Sequence, residues 1–343
     1  MDFKHFDRTM IIAELSCNHL HQLDLAMKTI EAMAEAGADV VKVQNDNMAE
    51  DMLTIDCDND YFRINQGTLW DGETLYSLYK KTETPLEWLP LMQEKAHSLG
   101  MQFFSTPSDP TSVDLLETLN VPAYKISSFE ITDLQLIRRA AETGKPVLIS
   151  TGIATEEDIR LAIETCHEVG NNDVILLKCT SSYPASIEAA NLTMIHDMKE
   201  RFGCQVGLSD HSMGDIVATT AVALGAVLIE KHFILDRNLG GPDGAFSMEP
   251  HEFKQMVERV RDAEKTIGKV SYELSEETKK NRNFAKSLFV IKDVKKGDII
   301  DNNNVRAIRP GYGLLPKHWR EVEGKVFTGD YKRGTPFGYE MIQ

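Results

Sequence analysis

The sequence predicts a closed (β/α)8 barrel followed by a small β-rich module, and three observations predict it. Eight short apolar runs, most of them carrying Val, Ile or Leu, alternate with helical patterns over about 270 residues, the span such a barrel needs. Gly37, Gly100, Gly144, Gly170 and Gly225 stand where helices must stop, at the position of left-handed C-terminal caps. Polar and ionisable residues gather just after the apolar runs, as expected of a barrel whose chemistry sits at the carboxyl ends of its strands. An open doubly wound sheet is the alternative, but ELSCNH follows the first strand where that fold calls for a glycine fingerprint.

In chain order, strands are expected at 10–16, 40–44, 102–106, 123–127, 146–151, 174–179, 206–210 and 226–232, each built on a short apolar run. Helical patterns fall between them at 23–35, 86–98, 110–119, 133–142, 156–168, 191–199 and 215–224, and a last one at 250–267 follows the eighth strand. Crossovers of this length make successive strands parallel. The connection 45–85 is out of proportion, and its Tyr61, Phe62, Trp70, Tyr76 and Tyr79 argue for an ordered lid over the barrel mouth rather than disorder. A segment packed only on itself is the other reading. The barrel is taken as 1–270, a polar linker as 271–286 with a helical run at 275–282, and the C-terminal module as 287–343. That module repeats itself, DVKKGDII against DYKRGTPF, and has too few residues for a thick core, so it is expected to pack on something. Between the repeats, RAIRPGYG offers Arg309 on a turn.

Composition narrows the class. A net charge of −16 without any basic cluster argues against nucleic acid or anionic membrane as a partner. The first residues lack the apolar run of a signal peptide and no stretch approaches a membrane span, so a soluble, cytoplasmic protein is expected. Five scattered cysteines without a C-x-x-C pair read as reduced thiols, with Cys17 and Cys179 near strand ends as small buried side chains.

The chemistry-bearing stretch is QVGLSDHSMGDIVATTAVALGAVLIEKHFILD, a strand-helix-strand unit with a histidine at the end of each strand. Parallel neighbours place those ends about 5 Å apart, so His211 and His232 would face one pocket with Asp210 and Glu230 beside them. Two imidazoles there suit a divalent metal with open positions; two separately satisfied polar residues remain the alternative. Alternation along strands puts Lys42 with Gln44, Ser209 with His211, and Glu14 with Ser16. Lys42, Lys125 and Lys178, with hydroxyls at Thr106, Ser127, Ser128, Ser150, Thr151 and Ser181, form a ring suited to phosphate or carboxylate.

The motifs IIAELSCNH, GADVVKVQ, YKISSFE, STGIAT, KCTSSYP, VGLSDHS, EKHF, GPDGAFSM, KKGD and RPGYG, in this order over nearly the whole chain, resemble the sialic acid synthase family. That resemblance implies a barrel with a C-terminal antifreeze-like (SAF) domain, joining phosphoenolpyruvate to an acetamido sugar. It implies that His211 and His232 bind manganese or magnesium. It assigns Lys42, Thr106, Lys125, Ser128, Ser150, Ser181, Ser209 and His211 to phosphoenolpyruvate, with Ser181 standing where sialate synthases carry Asn. Glu14, Gln44, Tyr183 and Asp243 fall to the sugar, and Glu130 matches a carboxylate that handles protons. Arg309 matches an arginine inserted into the partner's barrel, which implies a domain-swapped homodimer. AEL, LWDG and KCTSSYP look most like the branch that makes pseudaminic acid from 2,4-diacetamido-2,4,6-trideoxy-L-altrose, with N-acetylneuraminate and legionaminate synthases as alternatives.

Two other classes compete. A Schiff-base aldolase would use Lys125 or Lys178, and borohydride trapping with pyruvate separates it. A non-catalytic carbohydrate-binding protein has no need of paired histidines beside an anion ring.

Overall fold

The computed structural model describes residues 3–45 and 52–343. The chain divides into two compact units, Met1–Gly268 and Lys269–Gln343.

In the first unit, β1 (Met10–Glu14) leads through α1 (Leu23–Glu35) to β2 (Val40–Asn45). Then follow α2 (Leu75–Thr82), α3 (Leu89–Ser98), β3 (Gln102–Pro107), α4 (Pro110–Thr118) and β4 (Tyr124–Ile126). After α5 (Leu134–Ala141) come β5 (Val147–Ser150), α6 (Glu156–Glu168), β6 (Val174–Cys179), α7 (Met194–Phe202) and β7 (Gln205–Asp210). The unit ends with α8 (Ile216–Ala223), β8 (Leu228–His232) and α9 (Pro250–Ile267). All ladders are parallel and run β3-β2-β1-β8-β7-β6-β5-β4, with β3 lying against β4 to close the barrel. All eight expected strands and the helices between them are present. The five expected cap glycines all have positive φ, between 71° and 95°.

Strands such as Met10–Glu14 and Val174–Cys179 are buried along their whole length, because side chains on one face fill the barrel while those on the other meet the helical layer. The connection after β2 departs from expectation. It contains a helix, α2, begun by a reciprocal capping box between Thr74 and Ser77, and it buries Leu78 and Thr82 one turn apart on one stripe. Residues 46–51 of the expected lid lie outside the described residues. Among the described residues no helix is long and apolar enough to cross a membrane.

The second unit carries the short α10 (Glu276–Asn281), capped by Ser275, an antiparallel pair β9 (Ser287–Val290) and β10 (Val305–Ile308), and α11 (Trp319–Val322). Its two similar pieces bind each other reciprocally. Asp293 accepts from Lys332 Nζ at 2.7 Å and Arg333 N at 2.9 Å, while Asp330 accepts from Lys295 Nζ at 3.1 Å and Lys296 N at 2.9 Å. The repeat is therefore a pseudo-twofold, closed over Val294, Ile300, Val305, Phe327 and Phe337.

Candidate active site

Register brings the polar strand ends into rows. Glu14 on β1 is level with Lys42 on β2 and with His232 on β8; Gln44 is level with Thr106; Ser209 is level with both Cys179 and Glu230.

The centre is a buried quartet of two acids and two bases. Lys42 Nζ pairs with Glu14, donates to Thr106 Oγ1 at 3.0 Å, and lies 3.7 Å from Glu230 Oε1. Lys125 Nζ donates to the same Glu230 oxygen at 2.9 Å, and Ser209 Oγ does so at 3.3 Å. Their side chains are at most 4% exposed, so each charge depends on the others. Burial would raise Glu230, but the Lys125 and Lys42 ammonium groups more than offset it and hold the carboxyl at about 2. At Glu14 burial wins over Lys42 and the pKa rises. Burial also opposes the Lys42 charge, yet Glu14 and Glu230 outweigh it and its pKa rises.

Beside the quartet the two imidazoles face each other, ring centres 5.3 Å apart. His211 Nδ1 lies 3.0 Å from the Thr180 carbonyl oxygen and donates there, so Nε2 is the nitrogen left for a ligand; burial lowers the pKa of the ring, but Cys179 and the Thr180 carbonyl outweigh it and raise it. Burial, then the charges of His211, Lys42 and Lys125, hold His232 neutral, and its buried Nδ1 has no hydrogen-bond partner among the described residues. Asp243 Oδ2 lies 3.6 Å from that nitrogen and accepts from Ser16. Tyr183 and Phe246 pack on the pair, Tyr183 at 4.4 Å from His211 and Phe246 at 5.0 Å from His232. His232, neutral and with an unused nitrogen, and His211, whose Nε2 takes no part in the bond to Thr180, form a donor set that fits a divalent ion. Among the described residues no three His, Cys, Asp or Glu side chains make a ready-built metal cluster.

Across the cavity, Ser128 Oγ and Ser181 Oγ are 2.7 Å apart, and the buried Ser150 Oγ has no partner among the described residues. Gly152 sits directly against them. A Cβ there would meet Ser181 Oγ at 2.1 Å, Cys179 Sγ at 3.1 Å and Ser128 Oγ at 3.2 Å. This is a hydroxyl-lined cradle of the kind that holds a phosphoryl oxygen. Glu130, partly buried, accepts from Ser127; burial raises its pKa, against that bond and Lys125.

Lys42, Gln44, Thr106, Lys125, Ser128, Glu130, Ser150, Ser181, Tyr183, Ser209, His211, His232 and Asp243 line one cavity of about 570 Å³, with Glu14 behind Lys42. Leu53, Ile64, Trp70, Leu75, Leu78 and Tyr79 from the long connection line its other side, and Trp70 Nε1 donates to Pro242 O at 3.3 Å. The segment is thus a wall of the cavity and does not pack only on itself. Arg309 lies in the C-terminal unit, exposed on the turn after β10.

Four expectations are corrected. Lys178 donates to Cys179 O at 2.7 Å and Thr180 Oγ1 at 3.3 Å and is no part of the cavity wall, so the anion ring holds Lys42 and Lys125 without it. Thr151 turns to Leu177 O at 3.0 Å. Asp210 points away from the histidines to Lys231, because it is one residue out of phase with His211. Phe62 and Tyr76 are absent from the wall that Tyr61, Trp70 and Tyr79 help to form. Sequence reasoning undervalued Glu230, although its position two residues before His232 puts both on one face. It missed Gly152 in STG and Phe246 in GAFS.

Comparison with known proteins agrees with this architecture. A model of the NeuB family matches residues 29–272, and a SAF domain model matches 285–343. The chain is 46% identical to pseudaminic acid synthase of Helicobacter pylori over 97% of each protein. It is 36% identical to N,N'-diacetyllegionaminic acid synthase of Campylobacter jejuni over 95% of this chain and 97% of that one. The crystal structure of the N-acetylneuraminic acid synthetase of Leptospira borgpetersenii matches with a TM-score of 0.70 and 31% identity, over 80% of this chain and 90% of that one. By these matches over barrel and module alike, the chain belongs to the NeuB family and ends in a SAF domain.

Proposed function

We propose that this protein is a pseudaminic acid synthase, a transferase that condenses phosphoenolpyruvate with 2,4-diacetamido-2,4,6-trideoxy-L-altrose and releases phosphate. The observation that carries the reading is the cavity itself: two lysines and a hydroxyl cradle, paired imidazoles beside them, and a wall from the long connection that includes Leu53, Ile64, Trp70 and Leu75. Identity to the H. pylori enzyme, ten percentage points above that to the legionaminic acid synthase (46% less 36%), favours this sugar within the family.

In this reading Lys42 and Lys125 hold the carboxylate and phosphate of phosphoenolpyruvate without forming a covalent bond. Ser128, Ser150 and Ser181 donate to phosphate oxygens, with Gly152 making room for their close approach. His211 and His232 would hold a divalent ion, manganese or magnesium, which when bound supplies a Lewis acid for a sugar carbonyl. C3 of phosphoenolpyruvate attacks the aldehyde carbon, whose oxygen takes up a proton; water adds at C2 and gives up a proton, and the C–O bond to phosphate breaks. Glu130, its pKa raised by burial, is suited to move a proton on this side of the cavity. Gln44, Tyr183 and Asp243 orient the sugar; Glu14, expected among them, is fully buried behind Lys42 and holds that ammonium in place instead. The methyl groups of a 6-deoxy diacetamido sugar suit the wall of Leu53, Ile64, Trp70 and Leu75, at roughly 0.8 kcal/mol per buried carbon. We place the enzyme in the cytoplasm, where phosphoenolpyruvate is available.

The test is phosphate release from phosphoenolpyruvate against a panel of acetamido sugars. The altrose derivative is expected to exceed N-acetylmannosamine by about tenfold or more in kcat/KM, since two methyl-sized groups are involved. Comparable use of both would remove the subgroup assignment, and no turnover with any of them, with metal supplied, would remove the enzyme reading.

Gly152→Ala is expected to raise KM for phosphoenolpyruvate about tenfold while leaving that for the sugar within twofold. The new methyl displaces Ser181 and breaks its bond to Ser128, at a cost near 1.4 kcal/mol. Unchanged initial-rate kinetics would show that the cradle does not bind the phosphate.

Arg309 is proposed to act on the barrel of a second copy. Mixing Arg309→Ala with Lys125→Ala subunits should then restore activity, because one barrel in the mixed dimer has an intact lysine and receives an intact arginine. No recovery after demonstrated subunit exchange would mean that Arg309 serves its own chain.

A further inference from the structure

We infer that the buried Asp210–Lys231 pair is a positioning device for the two histidines, setting their mutual approach from behind the sheet. Each member immediately precedes one histidine in sequence, and the two are register partners on adjacent strands. They face the helical side of the barrel, and neither lines the cavity. Lys231 Nζ uses all its donors: Asp210 Oδ2 at 2.5 Å, Ser212 O at 2.5 Å and Gly214 O at 3.0 Å. Asp210 Oδ1 accepts from Ser212 N at 2.9 Å and Ser212 Oγ at 2.7 Å. The loop leaving β7 is thus tied to β8 just beyond His211. On its other side the His211 carbonyl accepts from Ala185 N at 3.0 Å, so the backbone there is clamped from two directions.

Packing against helices does not call for such a pair. Lys231 is 1% exposed, and an apolar residue there would avoid the desolvation of a charge. What an apolar residue cannot do is span three acceptors across residues 210 to 214 and hold them in one geometry. A buried, fully satisfied polar cluster trades stability for a unique arrangement, and here the arrangement set is that of His211 against His232.

The inference rests on the reading of that pair as a divalent metal site, and the test separates the two. Mn²⁺ binding is measured by electron paramagnetic resonance on the full-length protein, wild type, His211→Ala and Lys231→Met, with phosphoenolpyruvate binding to the metal-free forms measured by calorimetry. Lys231→Met is expected to weaken Mn²⁺ by about 10- to 100-fold while phosphoenolpyruvate affinity stays within twofold; a general loosening of the barrel mouth would weaken both. If Lys231→Met does not fold, Asp210→Asn, which keeps the shape and an acceptor, is expected to weaken Mn²⁺ about threefold or more on the same grounds. A folded Lys231→Met with wild-type Mn²⁺ affinity, against a His211→Ala that has lost it, overturns the positioning role and leaves the metal site standing. Equal binding by wild type and His211→Ala overturns the metal site and this inference with it.

Discussion

His211→Ala and His232→Ala are each expected to lower kcat by on the order of 10³-fold or more, the several kcal/mol that a Lewis acid supplies to a developing alkoxide. For His232→Ala stability should move little, or upward, while His211→Ala also loses the bond to Thr180 O, at about 1 kcal/mol. His232 contributes a buried Nδ1 without a hydrogen-bond partner among the described residues, and removing an unsatisfied buried group relieves its desolvation cost. Its ring packs on Phe246 at 5.0 Å, so the lost contact partly offsets that gain. Turnover and thermal melting measured on the same preparations give the signature of a functional residue: activity lost, with Tm kept in His232→Ala and only slightly lowered in His211→Ala. Chelation of the wild type should mimic the variants, with recovery on adding Mn²⁺ or Mg²⁺. Full turnover by a metal-free preparation would refute the assignment of these histidines.

Lys125→Met is expected to remove activity and also to destabilise the fold, by about 3 kcal/mol, because it takes from the buried Glu230 the nearer of its two ammonium partners, leaving Lys42 Nζ at 3.7 Å. For a unit of this size that corresponds to a fall in Tm of roughly 6–12 °C. Adding Glu230→Gln should restore most of the lost Tm without restoring turnover, which separates the structural debt of the pair from the use of the ammonium on substrate. The pH dependence has a definite sign. Glu230 has a depressed pKa of about 2, against 4.5 ordinarily, so its contribution to stability is present above 4.5 and is lost as pH falls toward 2. Without Lys125 much of that depression disappears, and acidification lets the stranded carboxyl become neutral. The Tm deficit of Lys125→Met should therefore be largest near neutral pH and shrink as pH falls through 4.5. Glu14, raised by burial, has the opposite sign in both proteins: its contribution is greatest below 4.5 and declines above it. A deficit that grew on acidification would show that Lys125 is not the charge holding Glu230 ionised.

Much of the fold was legible because its signals are local. Apolar runs of strand length, helix stops at glycines with positive φ, and crossovers long enough only for parallel pairing determine a repeated β-α unit without knowledge of contacts. The same repetition places the chemistry, since every strand presents its carboxyl end to one mouth. Hence His211, His232, Lys42 and Lys125, written at four different strand ends, could be expected together before any distance was known.

What the tertiary structure alone decided was facing and pairing. Barrel strands are buried on both sides, so hydrophobicity does not mark which face is the interior, and a shift of one residue exchanges the two. That ambiguity put Lys178 and Asp210 in the expected site when both belong to the outer face, and it left Glu230 undervalued when it bridges both lysines. The helix Leu75–Thr82 was hidden for a related reason. Only two of its side chains are buried, so its stripe is too narrow to stand out in a segment whose aromatic residues already read as a wall. Residues determine which groups each strand end can offer; closure of the sheet decides which of them meet, because the distances inside the mouth depend on register between strands far apart in sequence.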